Sequence, residues 1–188
     1  MNNVFIILVK PQLGQNIGSV ARVMKNLNFK NLRIVNPRDG WPNQDVISTA
    51  AGADDVITNT KVFDNVSEAC NDLNYLFASS ARKRDLNIKT LNLVNTVSSL
   101  NKPEFSRNDF KLGILFGCES SGLSNEDLIT ANQLIYIPSN SEFSSLNISH
   151  AVSLICWEFF KFFNDLILDQ NSKISLNTSP TIKDMDYF

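Results

Sequence analysis

The sequence predicts an α/β fold, a mostly parallel sheet with helices on both faces. Two observations carry this. Five runs are each short and apolar and often bounded by Pro, Asn or Gly, as buried parallel strands are. Helical stretches separate them, so the order βαβαβαβαβα repeats along one chain of 188 residues with no internal repeat and no linker.

The expected strands are Val4–Val9, Leu32–Val35, Leu73–Ala78, Leu112–Phe116 and Leu134–Ile137. The first helix is expected over residues 17–27, where Ile17, Val20, Ala21, Met24 and Leu27 share one face. A short helix follows Asp64, over residues 65–72. Another spans 125–132, with Ser124 as N-cap and Asp127 three residues on, where a capping box usually has Glu. The longest runs from Asn147 to Asp169 and is apolar on more than one face, which suits a core helix that also supplies a subunit interface. Residues 80–110 are charged and Asn-rich and read as a loop region. A single domain over 1–170 and a polar tail over 171–188 complete the expected organisation.

Composition narrows the function classes. At 43% hydrophobic the chain has enough apolar surface for a core, which excludes a disordered protein. No apolar run approaches a membrane span, and the N-terminal segment lacks the basic region and cleavage site of a signal peptide. Three cysteines without a CxxC, and one histidine, argue against a disulfide scaffold or a zinc site and point to the reducing cytoplasm. Charge is uneven. Residues 1–89 hold 11 Lys/Arg against 8 Asp/Glu, and residues 90–188 hold 6 against 11. The basic residues include Arg22, Lys25, Lys30, Arg33, Arg38, Arg82, Lys83, Arg84 and Lys89, either a solvated surface or a face for a polyanion.

In parallel sheets, ligands sit beyond the carboxyl ends of the strands, so the strand-exit loops matter most. The first, KPQLGQNIGS, has Gly14-x3-Gly18 and no GxGxxG or P-loop, which disfavours a dinucleotide enzyme. Asn16 there either caps the helix or lines a site. The third loop, LFGCESSGLSNEDL, presents Glu119 and comes near the G-x-S-x-G elbow. A hydrolase would need His150 as base and Asp127 as third member, a weak alternative. The fourth, IPSNSEFSSLNISHAV, offers Ser144, Ser145 and Asn147 ahead of the long helix.

Together NIGSVARVMKN with LRIVNP, AAGADDVI, FGCESSGLSNEDL and IPSNSEFSSLNISHAV resemble the ordered motifs of the SPOUT superfamily. The likeness is to its TrmH-type 2′-O-ribose methyltransferases, and within these to the branch acting on cytidine or uridine of tRNA. It runs from about Phe5 to Glu158. The resemblance implies a C-terminal trefoil knot that binds S-adenosylmethionine, without metal. It implies a homodimer acting on RNA, most readily tRNA in the anticodon loop, with rRNA or a non-catalytic RNA-binding knot protein as alternatives. Carried over by motif, cofactor contacts fall at Ser79, Ser80, Ala81, Gly117, Ile137, Ser144, Ser145 and Leu146. Catalytic positions fall at Asn16, Arg22, Glu119, Ser145 and Asn147, with Arg22 of one subunit completing the site of the other. Cys118 departs from a usual arginine and Phe143 from a common tyrosine, and SPTIKDMDYF resembles the start of a C-terminal extension.

Overall fold

A computed structural model describes residues 3–81, 87–101, 105, 107 and 109–168, with side chains through 164. In chain order the elements are β1 (Val4–Val9), α1 (Gly14–Asn26), β2 (Asn31–Val35), α2 (Gln44–Ala50), α3 (Asp54–Thr58), β3 (Lys61–Phe63), α4 (Val66–Cys70) and β4 (Tyr75–Ser79). There follow β5 (Thr90–Asn92), α5 (Leu93–Ser98), β6 (Leu112–Phe116), α6 (Asn125–Ile129), β7 (Gln133–Tyr136) and α7 (Ile148–Leu168).

The strands form one sheet in the order β3-β2-β1-β6-β4-β7-β5, and every pairing is parallel. The pleat divides each central strand between two cores. Ile6 and Leu8 face a core completed by Ile17, Val20 and Met24 of α1 and by Ile155 and Phe159 of α7. Ile7 and Val9 face the other side, with Val66 and Ala69 of α4 and Leu128 of α6. From β1 the chain winds outward through β2 and β3, then crosses to the far side of the sheet through β4 and β6. The strand order therefore reverses between β1 and β6, the switch point where such sheets open a crevice.

Close packing rather than nucleotide binding accounts for the two glycines of α1. A Cβ on Gly18 would collide with Thr49 Oγ1 and lie 2.6 Å from the Val46 carbonyl, so Gly18 lets α2 sit directly on α1.

The structure corrects several expectations. Among the described residues seven strands are present, not five, because the three-residue edge strands β3 and β5 carry little apolar signal. Residues 80–110 are not simply a loop region: β5 and α5 lie within them. The first helix begins at Gly14 rather than 17, and β4 begins at Tyr75 rather than Leu73. The capping box at α6 forms as expected, with Ser124 and Asp127 bonded reciprocally. The 171–188 tail, the 170 boundary and the Arg82–Lys83–Arg84 cluster lie outside the described residues. Among the described residues no helix is long and apolar enough to cross a membrane.

Candidate active site

The exits of β4, β6 and β7 surround a cavity of about 320 Å³. Ser79, Ser80 and Ala81 line it from β4, Gly117 from β6, and Ile137, Ser144, Ser145 and Leu146 from β7 and the loop before α7. All eight positions carried over as cofactor contacts thus meet in one place. Phe116, Cys118, Glu119, Leu123, Glu142, Phe143 and Ile148 also line it and were not assigned there. The β6 exit folds back on itself: Cys118 and Gly122 form an antiparallel bridge, and the Gly122 N–H donates to the Cys118 carbonyl at 2.9 Å. Gly122 takes φ +70, and a Cβ on Gly117 would collide with the Gly122–Leu123 backbone, so the turn needs both glycines.

A chain of hydrogen bonds ties three of the five catalytic candidates, Asn16, Glu119 and Asn147, together. Asn16 Nδ2 donates to Glu119 Oε1 at 2.6 Å, and Asn147 Nδ2 donates to Asn16 Oδ1 at 3.0 Å. The Gln12 backbone N–H donates to Glu119 Oε2 at 3.0 Å, and Gln12 Nε2 donates to Ser120 Oγ at 2.9 Å. Asn147 Oδ1 accepts from the N–H and hydroxyl of Ser149. Polarity fixes this network. An ionised Glu119 only accepts, so Asn16 must turn its NH₂ toward it, which leaves the Asn16 oxygen for the Asn147 NH₂. Asn16 does not cap α1: Leu13 occupies the N-cap with no side-chain bond, and Asn16 is buried inside the first turn. Gln12 and Ser149 escaped the sequence reading because their partners lie in another loop or depend on a local turn, and Ser120, read there only as the serine of the near-miss elbow, instead accepts from Gln12.

Arg22 is not brought to this network. It is exposed on α1, about 120° round the helix from Asn16, and no hydrogen bond or ion pair ties it to another described residue. Ser145 lines the cavity but is exposed. Arg38, after β2, lies within electrostatic reach of Glu119 while bonded to Asp39. At Cys118, burial pushes the thiol up, but hydrogen bonds from the side chains and backbones of Ser121 and Ser120 outweigh it and leave the group below its ordinary value. The hydrolase alternative fails on geometry. Asp127 is committed to the capping box, His150 is exposed on α7, and Ser120 bonds Gln12.

The cavity chemistry fits S-adenosylmethionine. Phe116, Leu123, Ile137 and Leu146 give apolar walls for a purine, and the Ser79, Ser80 and Ser144 hydroxyls suit a ribose and an amino-acid group. Glu119 and Glu142 line it, and no Lys or Arg among the described residues does, which suits a ligand with a cationic centre rather than a phosphate. Among the described residues no cluster of three or more His, Cys, Asp or Glu could hold a metal.

A model of the SpoU rRNA Methylase family matches residues 3–157, the span that contains every element of this site. The chain belongs to the SpoU rRNA methylase family. This SpoU family member is 34% identical over 170 residues to the tRNA (cytidine-2'-O-)-methyltransferase TrmJ of Methanocaldococcus jannaschii, covering 89% of this chain and 72% of that protein. The crystal structure of TrmJ from Z. mobilis ZM4 superposes with a TM-score of 0.77 at 42% identity, over 83% of this chain and 67% of that one. The SpoU methyltransferase AviRb from Streptomyces viridochromogenes, in complex with AdoMet, shares the fold at 16% identity with a TM-score of 0.66, over 86% and 58% of the two chains. S-adenosylmethionine is the methyl donor of this family.

Proposed function

We propose that the protein transfers a methyl group from S-adenosylmethionine to a ribose 2′-hydroxyl of RNA, and that its substrate is tRNA, at a cytidine or uridine of the anticodon loop. The observation that carries this is the Glu119–Asn16–Asn147 chain at the mouth of a cavity lined by no described cation. It is supported by the TrmJ relatives, whose names state 2′-O-methylation of tRNA cytidine or uridine.

The bound cofactor supplies an activated sulfonium methyl. The protein must then align a poor nucleophile, leave its proton a way out and exclude bulk water. In this reading Ser79, Ser80, Ala81, Gly117, Ile137, Ser144, Ser145 and Leu146 hold the cofactor. Ser145 and Asn147 position the ribose, and Asn16 and Glu119 hold Asn147 and the β6 loop in place. Arg22 grips a substrate phosphate and stabilises the developing 2′-alkoxide. A guanidinium is a poor base, so its role here is electrostatic, and the 2′-hydroxyl proton passes to water.

Arg22 reaches the site from a second subunit in this proposal, in a cytoplasmic homodimer whose C-terminal segment forms a trefoil knot. Leu154 and Trp157, three residues apart on α7, are 43% and 47% exposed and give the dimer an apolar face. Phe159 is fully buried, and Phe162 and Phe163 pack against the core, so the interface uses less of the α7 aromatic run than the sequence suggested.

The test is transfer of labelled methyl to unmodified tRNA and, separately, to rRNA, followed by mapping of the 2′-O-methyl sites. Transfer to a tRNA anticodon-loop pyrimidine is expected. Transfer to rRNA alone would replace the substrate, and transfer to neither would overturn the reaction.

A further inference from the structure

We propose that Phe143 is the platform on which the target nucleobase stacks while its ribose enters the site. The inference rests on the RNA methyltransferase reading above and names a substrate contact which that reading leaves unassigned.

Phe143 is 79% exposed, the most of any large hydrophobic among the described residues. It also lines the cavity, next to Ser144 and Ser145, so the ring stands at the mouth rather than on a remote surface. Its backbone is held. The Phe143 N–H donates to the Asn140 carbonyl at 3.1 Å, the Glu142 N–H donates to Asn140 Oδ1 at 3.0 Å, and Ser139 Oγ donates to the Ser144 carbonyl at 3.2 Å. A fixed turn thus presents an uncovered ring.

The surroundings indicate what covers it. Asn140, Ser141 and Glu142 are exposed polar residues, so the ring is a single aromatic in a polar rim. That is too small for the apolar centre of a protein interface, but it matches one planar base. A phenyl ring has no donor and no charge for a phosphate, whereas every base has a π-face. The base is joined to the ribose that Ser145 and Asn147 position, two and four residues further along. A pyrimidine drawn out of its stack to expose its 2′-hydroxyl loses its neighbours, and the Phe143 ring replaces one of them.

Three variants test this: Phe143→Leu, which keeps the apolar volume without a ring, Phe143→Tyr, and Phe143→Trp. Phe143→Leu is expected to raise KM for unmodified tRNA by roughly 5- to 150-fold, the range found for loss of one base–aromatic stack. Its cofactor affinity, by calorimetry, and its mass, by light scattering, stay at wild-type values. Phe143→Tyr restores KM. In Phe143→Trp the added indole emission, above that of Trp41 and Trp157, is quenched by tRNA. An unchanged KM in Phe143→Leu overturns the proposal. So does a matching loss of cofactor affinity, which would make Phe143 part of the cofactor wall, or a halved mass, which would make it a subunit contact. Wild-type protein that binds cofactor but methylates no RNA would show, before any variant is made, that the underlying reading had failed and the stacking role with it.

Discussion

Glu119 offers two acceptor oxygens, and every amide behind it is oriented by that fact. Asn16→Ala removes the one group that meets both Glu119 and Asn147, leaving a part-buried acceptor and donor unpaired. Stability should fall by about 1–3 kcal/mol in urea denaturation, with methyl transfer lost as Asn147 is released. Asn16→Asp should be worse than Asn16→Ala at neutral pH, because it sets a second carboxylate against Glu119. Another carboxylate works far from the site. Asp72 pairs with the buried Arg33 guanidinium at 2.6 and 3.0 Å and with Lys111 at 2.9 Å, and Arg33 also stacks over Phe5 at 4.1 Å. The Arg33 hydrogen bonds hold the Asp72 carboxyl well below the usual carboxylate range, against a smaller opposing effect of burial. A depressed pKa stabilises the fold above the unfolded value and loses that contribution as pH falls through the folded one. Asp72→Asn should therefore destabilise the protein at pH 7 by roughly 1–3 kcal/mol, less than for a wholly buried pair because Asp72 is 39% exposed. The deficit should shrink below about pH 4. Asn16 and Glu119 were legible in the sequence through their motifs. Gln12 was not, because it meets Glu119 across 107 positions of sequence and only the β1–β6 pairing brings the two loops together.

Elements were legible in proportion to their burial. β1 and β6 appear at their expected residues because central strands are apolar on both faces. β3 and β5 are Lys-Val-Phe and Thr-Leu-Asn, edge strands with one face in water, and no periodicity can be read from three residues. The helices α2, α3 and α5 span five to seven residues, too short for an apolar stripe to repeat. The starts of α2 and α5 are instead marked by side chains: Asn43 and Asn92 accept from the N–H three residues on, whereas α3 has Ala53 at its N-cap and no side-chain cap. Capping chemistry was decisive at α6, where Ser124 and Asp127 satisfy each other's backbone N–H. Ser124→Ala should cost about 1 kcal/mol in chemical denaturation and leave methyl transfer at the wild-type rate, since this pair holds a helix end and touches no reacting group.

At the scale of the whole molecule, the cavity is lined by hydroxyls and carboxylates and by no Lys or Arg among the described residues, while Arg38, within electrostatic reach of Glu119, is bonded to Asp39. Arg22 stands on the exposed face of its own α1, with no bond to the Asn16 network. In the proposed homodimer it serves the site of the second copy. Nothing in one chain's sequence marks which residue serves the neighbour, since an arginine on an exposed helix face reads as solvated surface, and only the motif resemblance singled out Arg22. The arrangement makes a prediction that a self-contained subunit would not. Arg22→Ala leaves its own Asn16 network intact, and Asn16→Ala leaves its own Arg22 intact. Each homodimer should be inactive, yet mixing the two after reversible dissociation should regenerate one complete site in each mixed dimer. With random exchange about half the dimers are mixed, so activity should recover to about a quarter of wild type. The measurement is labelled methyl transfer to unmodified tRNA before and after exchange. Recovery would place Arg22 and Asn16 of one site on different chains, and no recovery despite demonstrated exchange would put both on the same chain.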